Sequence, residues 1–112
     1  MSDRTSIGTL ELTVLLSVAR LGVQAYGLAV RQDVSARTKR DYSVGAVYTT
    51  LQRLKDKGLV TSEASEPLPV RGGRSRRQFT ITSAGRRAIR DAERVAMSVW
   101  AGLGSSSRPE TA

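Results

Sequence analysis

The stretch Ser43-Val44-Gly45-Ala46-Val47-Tyr48-Thr49-Thr50-Leu51-Gln52-Arg53-Leu54-Lys55-Asp56-Lys57-Gly58 decides how the chain is read. Ser43 offers a hydroxyl to the unpaired amides that open a helix, and Gly58 tolerates the left-handed geometry that closes one. Between them Val44, Val47, Leu51 and Leu54 recur at helical spacing and form an apolar face. Projected around the helix axis, Gly45, Ala46, Thr49, Gln52 and Arg53 fall on the opposite side. A helix buried on one side thus presents small, polar and basic groups on the other.

Upstream, Ser6 to Leu21 carries Ile7, Leu10, Val14, Val18 and Leu21 at helical spacing, with Gly22 where a C-terminal cap belongs. Leu12, Leu15 and Leu16 lie off that stripe, so this helix is apolar on more than one face. It is either the central helix of one chain or a surface that also meets a second chain. A second helix places Val23, Tyr26, Val30 and Val34 on one face, and Thr38 to Asp41 form a short polar turn before the third.

Downstream, Leu59, Val60 and Thr61 begin an extended run that Pro67 and Pro69 break, and Phe79 and Ile81 alternate with threonines at period two. Arg71 to Arg77, Arg-Gly-Gly-Arg-Ser-Arg-Arg, reads as a basic loop between two strands, longer than a tight hairpin and mobile at its tip. Ser83 caps a last helix that runs to about Gly102, roughly 30 Å. On it Ile89, Ala92, Ala96, Val99 and Leu103 make a short heptad seam, whose alanines let a partner helix approach closely. The same spacing serves a helix folded onto its own domain. Met1 to Thr5 and Gly104 to Ala112 are expected to be disordered ends.

The totals narrow the function. A chain of 112 residues fits one domain. Its 18 Lys and Arg against 10 Asp and Glu give a formal charge of +8, which favours a polyanionic partner. With no Cys and no His there is no disulfide framework, thiolate nucleophile, imidazole base or ordinary zinc site, so neither an enzyme nor a metal or cofactor site is expected. The most apolar run, Leu10 to Leu21, is interrupted by Glu11, Thr13, Ser17 and Arg20, and Met1 to Thr5 lacks a signal-peptide layout. No membrane association and a reducing, cytoplasmic setting are expected.

Three helices followed by a two-stranded ribbon is the order of a winged helix-turn-helix. The expected fold is therefore mainly α with a small β-wing, residues 6–82, followed by a C-terminal dimerisation helix, residues 83–103. The charge then has an address. Arg37, Lys39 and Arg40 precede the third helix, Arg53 lies on its exposed face, and Arg71, Arg74, Arg76 and Arg77 crowd the wing. Double-stranded DNA suits this layout. Gly45 and Ala46 let the helix backbone approach base edges, Thr49 and Gln52 exchange hydrogen bonds with bases, and the arginines supply phosphate affinity without sequence information. Tyr48, on the flank, belongs either to the core or to a phosphate contact, and Trp100 either packs or stacks a ligand.

These residues resemble the PadR family of transcriptional regulators. The likeness rests on Tyr26-Gly27, on Ser43 to Leu54, on Lys57-Gly58-Leu59-Val60, on the wing Arg71 to Arg77, and on Phe79-Thr80-Ile81-Thr82-Ser83-Ala84-Gly85. It implies a dimeric repressor of the compact branch, whose last helix joins with the first to make the interface. On that resemblance Tyr48 contacts DNA phosphate, the exposed residues of the third helix read bases and the wing arginines grip the flanking backbone, with Ser43 counted among the DNA-binding residues, and Leu12, Leu16, Ile89, Ala92, Ala96, Val99, Trp100 and Leu103 form the homodimer contact. A small planar effector would enter beside Trp100. The alternatives are a basic RNA-associated module, which needs exposed aromatics for stacking, and a winged-helix adaptor that binds only proteins.

Overall fold

In the computed structural model, which describes residues 7–67 and 75–107, the first helix α1 (Thr9–Leu21) stops where Gly22 turns to φ +57°. A short 3-10 turn (Gly22–Gln24) leads into α2 (Gly27–Thr38), which ends at Lys39 in the left-handed region. Then come α3 (Val44–Asp56), the antiparallel pair β1 (Val60–Pro67) and β2 (Ser75–Ile81), and α4 (Ser83–Ser107). The expected architecture, helices with a small two-stranded wing, is the one observed.

One core joins these elements. Val14, Leu15 and Val18 of α1, Ala25, Val30 and Val34, Val47, Leu51 and Leu54 of α3, Val60 and Phe79 are all at most 3% exposed. Leu15, off the expected stripe, is thus a core residue of α1, while Leu12 and Leu16 lie outside the core. On α3 the buried face is Val47, Thr50, Leu51 and Leu54, and Val44 at the first turn is 42% exposed. Thr50 is admitted because its hydroxyl donates to the Ala46 carbonyl at 2.8 Å.

The second helix differs from its periodicity. Val23 sits in the 3-10 turn at 73% exposure, and Ala25 takes the core position instead. The break has a distant cause. Tyr26 bridges Gln78 of β2, the Phe79 backbone amide donates to the Ala25 carbonyl at 2.9 Å, and the Gln78 side-chain Nε2 donates to the Val23 carbonyl at 2.8 Å. The junction serves as a brief third strand beside the wing, so helix cannot continue through it.

At the other edge Thr82, not Ser83, caps α4. Its hydroxyl accepts the Gly85 amide at 3.0 Å and donates to the Gly58 carbonyl at 2.8 Å, while its amide donates to the Leu59 carbonyl at 3.0 Å. A Cβ on Gly85 would stand 2.3 Å from that Leu59 carbonyl. Strand β1 runs through Pro67, with a register shift between Ala64 and Pro67 that accommodates the proline at the end of the pair. Arg76 and Arg77 lie within β2 rather than in the loop. Helix α4 continues to Ser107, past the expected end at Leu103, because no proline interrupts it before Pro109. The remaining residues of the expected disordered ends, and the loop tip, lie outside the described residues. Among the described residues no helix is long and apolar enough to cross a membrane.

Two carboxylates tie the helices together. Asp33 of α2 pairs with Arg20 of α1 and, at 3.1 Å, with Arg37. Glu11 of α1 pairs with Lys57, beyond α3, at 2.7 Å and accepts the Gly8 amide at 3.3 Å. Burial pushes both carboxyls up, but these partners outweigh it and hold both below their ordinary values. A depressed carboxylate contributes stability above its unfolded-state value and loses it as pH falls through the folded-state value. The urea midpoint is therefore expected to drop from about pH 5 downward, less steeply in a Glu11→Gln, Asp33→Asn double variant. Gly85→Ala is expected to cost about 1–3 kcal/mol in urea denaturation, since the conflict is with backbone. An unchanged midpoint would show that α4 shifts freely.

Candidate nucleic-acid interface

Ser43 opens α3 in extended geometry, and its hydroxyl accepts the Ala46 amide at 3.0 Å. This bond sets where the helix begins and hence which residues share a face. Because Val47, Leu51 and Leu54 point into the core, Gly45, Thr49, Gln52 and Arg53 are exposed, with Ala46 half-buried beside them. A Cβ on Gly45 would meet nothing within 4 Å. The chain's own packing does not require that glycine, so its smallness matters only toward something outside.

Gln52 is partly engaged: its side-chain amide donates to Asp56 Oδ1 at 3.0 Å. One Nε2 hydrogen is used, and Oε1 with the second hydrogen stays available. Tyr48 is 39% exposed, and its ring rests where a Cβ on Gly27 would stand, Oη at 2.1 Å and Cζ at 2.3 Å. It is neither a core residue nor a free one.

On the wing, the Arg76 guanidinium lies over the Tyr26 ring, 4.1 Å from its centroid, and Arg77 Nη1 donates to Ser62 Oγ at 3.1 Å. Arg71 and Arg74 lie outside the described residues. Ahead of α3, Lys39 and Arg40 are exposed, whereas Arg37 is paired with Asp33. Arg31 also donates to the Tyr42 carbonyl at 2.8 Å and meets Asp41 at 3.2 Å, bracing the turn that carries Lys39 and Arg40. The periodicity placed Tyr26 on the apolar face of the second helix, whereas it stands half-buried at the N-cap of α2, and it gave Gly27 and Asp33 no physical role. The Tyr-Gly dipeptide was visible as a motif, but its contacts lie on other elements.

A second surface is apolar. Ile89 packs partly against the chain's own core, whereas Ala96, Val99, Trp100 and Leu103 are exposed, with Val95 and Met97 also more than 60% exposed. Where α4 leaves the domain it flanks α1 across an open groove of about 730 Å³, bordered by Leu12, Leu16, Leu59, Ala88, Ala92 and Val95. Trp100 stands apart from the groove at 68% exposure.

Three helices and a two-stranded wing, with the last of the three polar toward solvent, define a winged helix-turn-helix. The chain belongs to the PadR-like family of transcriptional regulators, whose profile matches residues 15–91. Solved structures agree in fold. A PadR-like transcription factor from Bacteroides fragilis is 22% identical, with a TM-score of 0.71 over 89% of this chain and 91% of that one. A PadR family regulator from Eggerthella lenta is 26% identical, with a TM-score of 0.65 over 88% of each. RosR of H. salinarum is 24% identical, with a TM-score of 0.66 over 88% of this chain and 81% of that one. No curated protein matches in sequence.

Proposed function

We propose that the chain is a sequence-specific DNA-binding regulator that works in the cytoplasm as a homodimer and represses a neighbouring promoter or its own. The observation that carries this reading is the split of α3, buried along Val47, Thr50, Leu51 and Leu54 and exposed along Gly45, Thr49, Gln52 and Arg53. A face of that composition suits the major groove. Thr49 and Gln52 read base edges. The Gln52 atoms not bonded to Asp56, Oε1 and one Nε2 hydrogen, are the pair an adenine contact uses. Gly45 and Ala46 let the backbone come close. Ser43, Tyr48, Arg53, Arg76 and Arg77, with Arg71 and Arg74 of the wing, hold the phosphates.

The homodimer reading draws on the apolar face of α4, which continues past its own domain, and on the groove beside α1. In a dimer a partner's α4 lies across Leu12, Leu16, Ile89, Ala92 and Ala96, and Val99, Trp100 and Leu103 meet their counterparts. The two recognition helices then address half-sites about 34–36 Å apart. A small planar effector has its place beside Trp100, where stacking on an exposed indole favours an aromatic molecule.

Affinity for a duplex carrying the promoter is expected to fall steeply with salt, and Arg53→Ala with Arg76→Ala to weaken promoter and random DNA alike, lowering the salt slope by about 1 per arginine. Thr49→Ala or Gln52→Ala is expected to relax preference at one base position, by about 1–3 kcal/mol. An arginine pair that alters sequence preference while random-DNA affinity stays intact would contradict this division of labour. Ala96→Asp is expected to convert the dimer to monomer in sedimentation equilibrium. A wild-type chain that is already monomeric at micromolar concentration would overturn the homodimer.

A further inference from the structure

We propose that Tyr26-Gly27 is the positioning element of the DNA interface: Gly27 seats the Tyr48 phenol and Tyr26 carries the Arg76 guanidinium. Consecutive residues thereby set a hydroxyl from the recognition helix and a cation from the wing in place for the DNA backbone. The inference rests on the DNA-binding reading above and adds to it the residues that hold those two groups still.

Gly27 opens α2 and is buried, yet it is not among the glycines with positive φ. Its backbone therefore does not call for glycine, and alanine is the better helix former. What excludes a side chain is Tyr48, whose Oη, Cζ and Cε1 stand 2.1, 2.3 and 2.7 Å from the place of a Cβ. Contact with three ring atoms cannot be relieved by a small torsion, so the phenol would have to leave its seat. Tyr48 is 39% exposed in that seat, which fixes the ring while leaving part of it open to a partner. A side chain already fixed loses less rotamer freedom when it binds.

Tyr26 acts the same way on the wing. Its backbone is locked by the bridge to Gln78 and by the bond from the Val30 amide to its carbonyl, 2.9 Å. Its ring lies under Arg76 at 4.1 Å. The π-face holds the guanidinium by its charge and so fixes where the cation of the wing stands. Neither residue has to touch DNA.

A double-mutant cycle on promoter-duplex binding, followed by fluorescence anisotropy, tests this. Gly27→Ala is expected to lose about tenfold in affinity in the wild-type background and less than about twofold when Tyr48 is already alanine. An equal loss in both backgrounds, or no loss in either, would overturn the proposal. Should Gly27→Ala give no cooperative thermal transition, Tyr48→Phe decides, because it keeps the ring on Gly27 and removes the hydroxyl. A several-fold loss supports the seat, and wild-type affinity overturns it. For the second arm, Tyr26→Leu is expected to weaken binding several-fold and Tyr26→Phe to restore it, since the phenyl ring still carries Arg76. Equal weakening by both overturns that arm. Wild-type protein that binds neither promoter nor random duplex would overturn the DNA-binding reading itself, whereas binding that these variants leave unchanged overturns only the positioning role.

Discussion

The packing of α3 on α1, through Val47, Leu51 and Leu54 against the helix that carries Val14, Leu15 and Val18, fixes the orientation of the polar groups that α3 offers to the proposed interface. A helix has one rotational setting once three of its side chains are fully buried. Ser43 sets where α3 starts and the buried Thr50 keeps its hydroxyl within the helix, so the exposed face is determined to the residue. Shortening Leu51 would leave a cavity and also loosen the setting of Thr49 and Gln52. Stability and the proposed recognition thus share the same contacts.

The second constraint is the knot at Gly58, Leu59, Thr82 and Gly85. Thr82 bonds the Gly58 carbonyl, the Leu59 carbonyl and the Gly85 amide, and Gly85 lies against Leu59 with no room for a side chain. This ties the turn after α3 to the start of α4. The Lys57–Glu11 pair adds a link from the same turn to α1, and Lys57 also borders the α1–α4 groove. The end of α3, the start of α4 and α1 are thereby held together at one turn.

Much of this was legible in the chain itself, because α3 and the first helix repeat their apolar residues at helical spacing and Ser43, Gly22 and Gly58 mark ends. The departures share one physical cause. Val23 and Tyr26 fit a helical stripe, yet β2 claims the backbone between them through Ala25 and Gln78, a contact more than fifty residues away that no local period reports. Arg76 and Arg77 read as loop because a run of arginines hides the alternation of a strand, although each settles on a neighbour, Tyr26 or Ser62. Gly27 and Gly85 were visible as glycines, but the groups that forbid a side chain there, Tyr48 and the Leu59 carbonyl, come from other elements. Gln52 and Asp56 were one helical turn apart and could have been paired from spacing alone.

Backbone amide shift mapping of the full chain, titrated with a duplex carrying the promoter upstream of its own gene, tests the central claim most directly. The expected result is that the largest changes fall on Ser43 to Arg53 and on Arg76 and Arg77, are lost at high salt, and spare the apolar face of α4 from Val95 to Leu103. Changes confined to α4 while α3 stays unperturbed would contradict the assignment of α3 as the recognition helix.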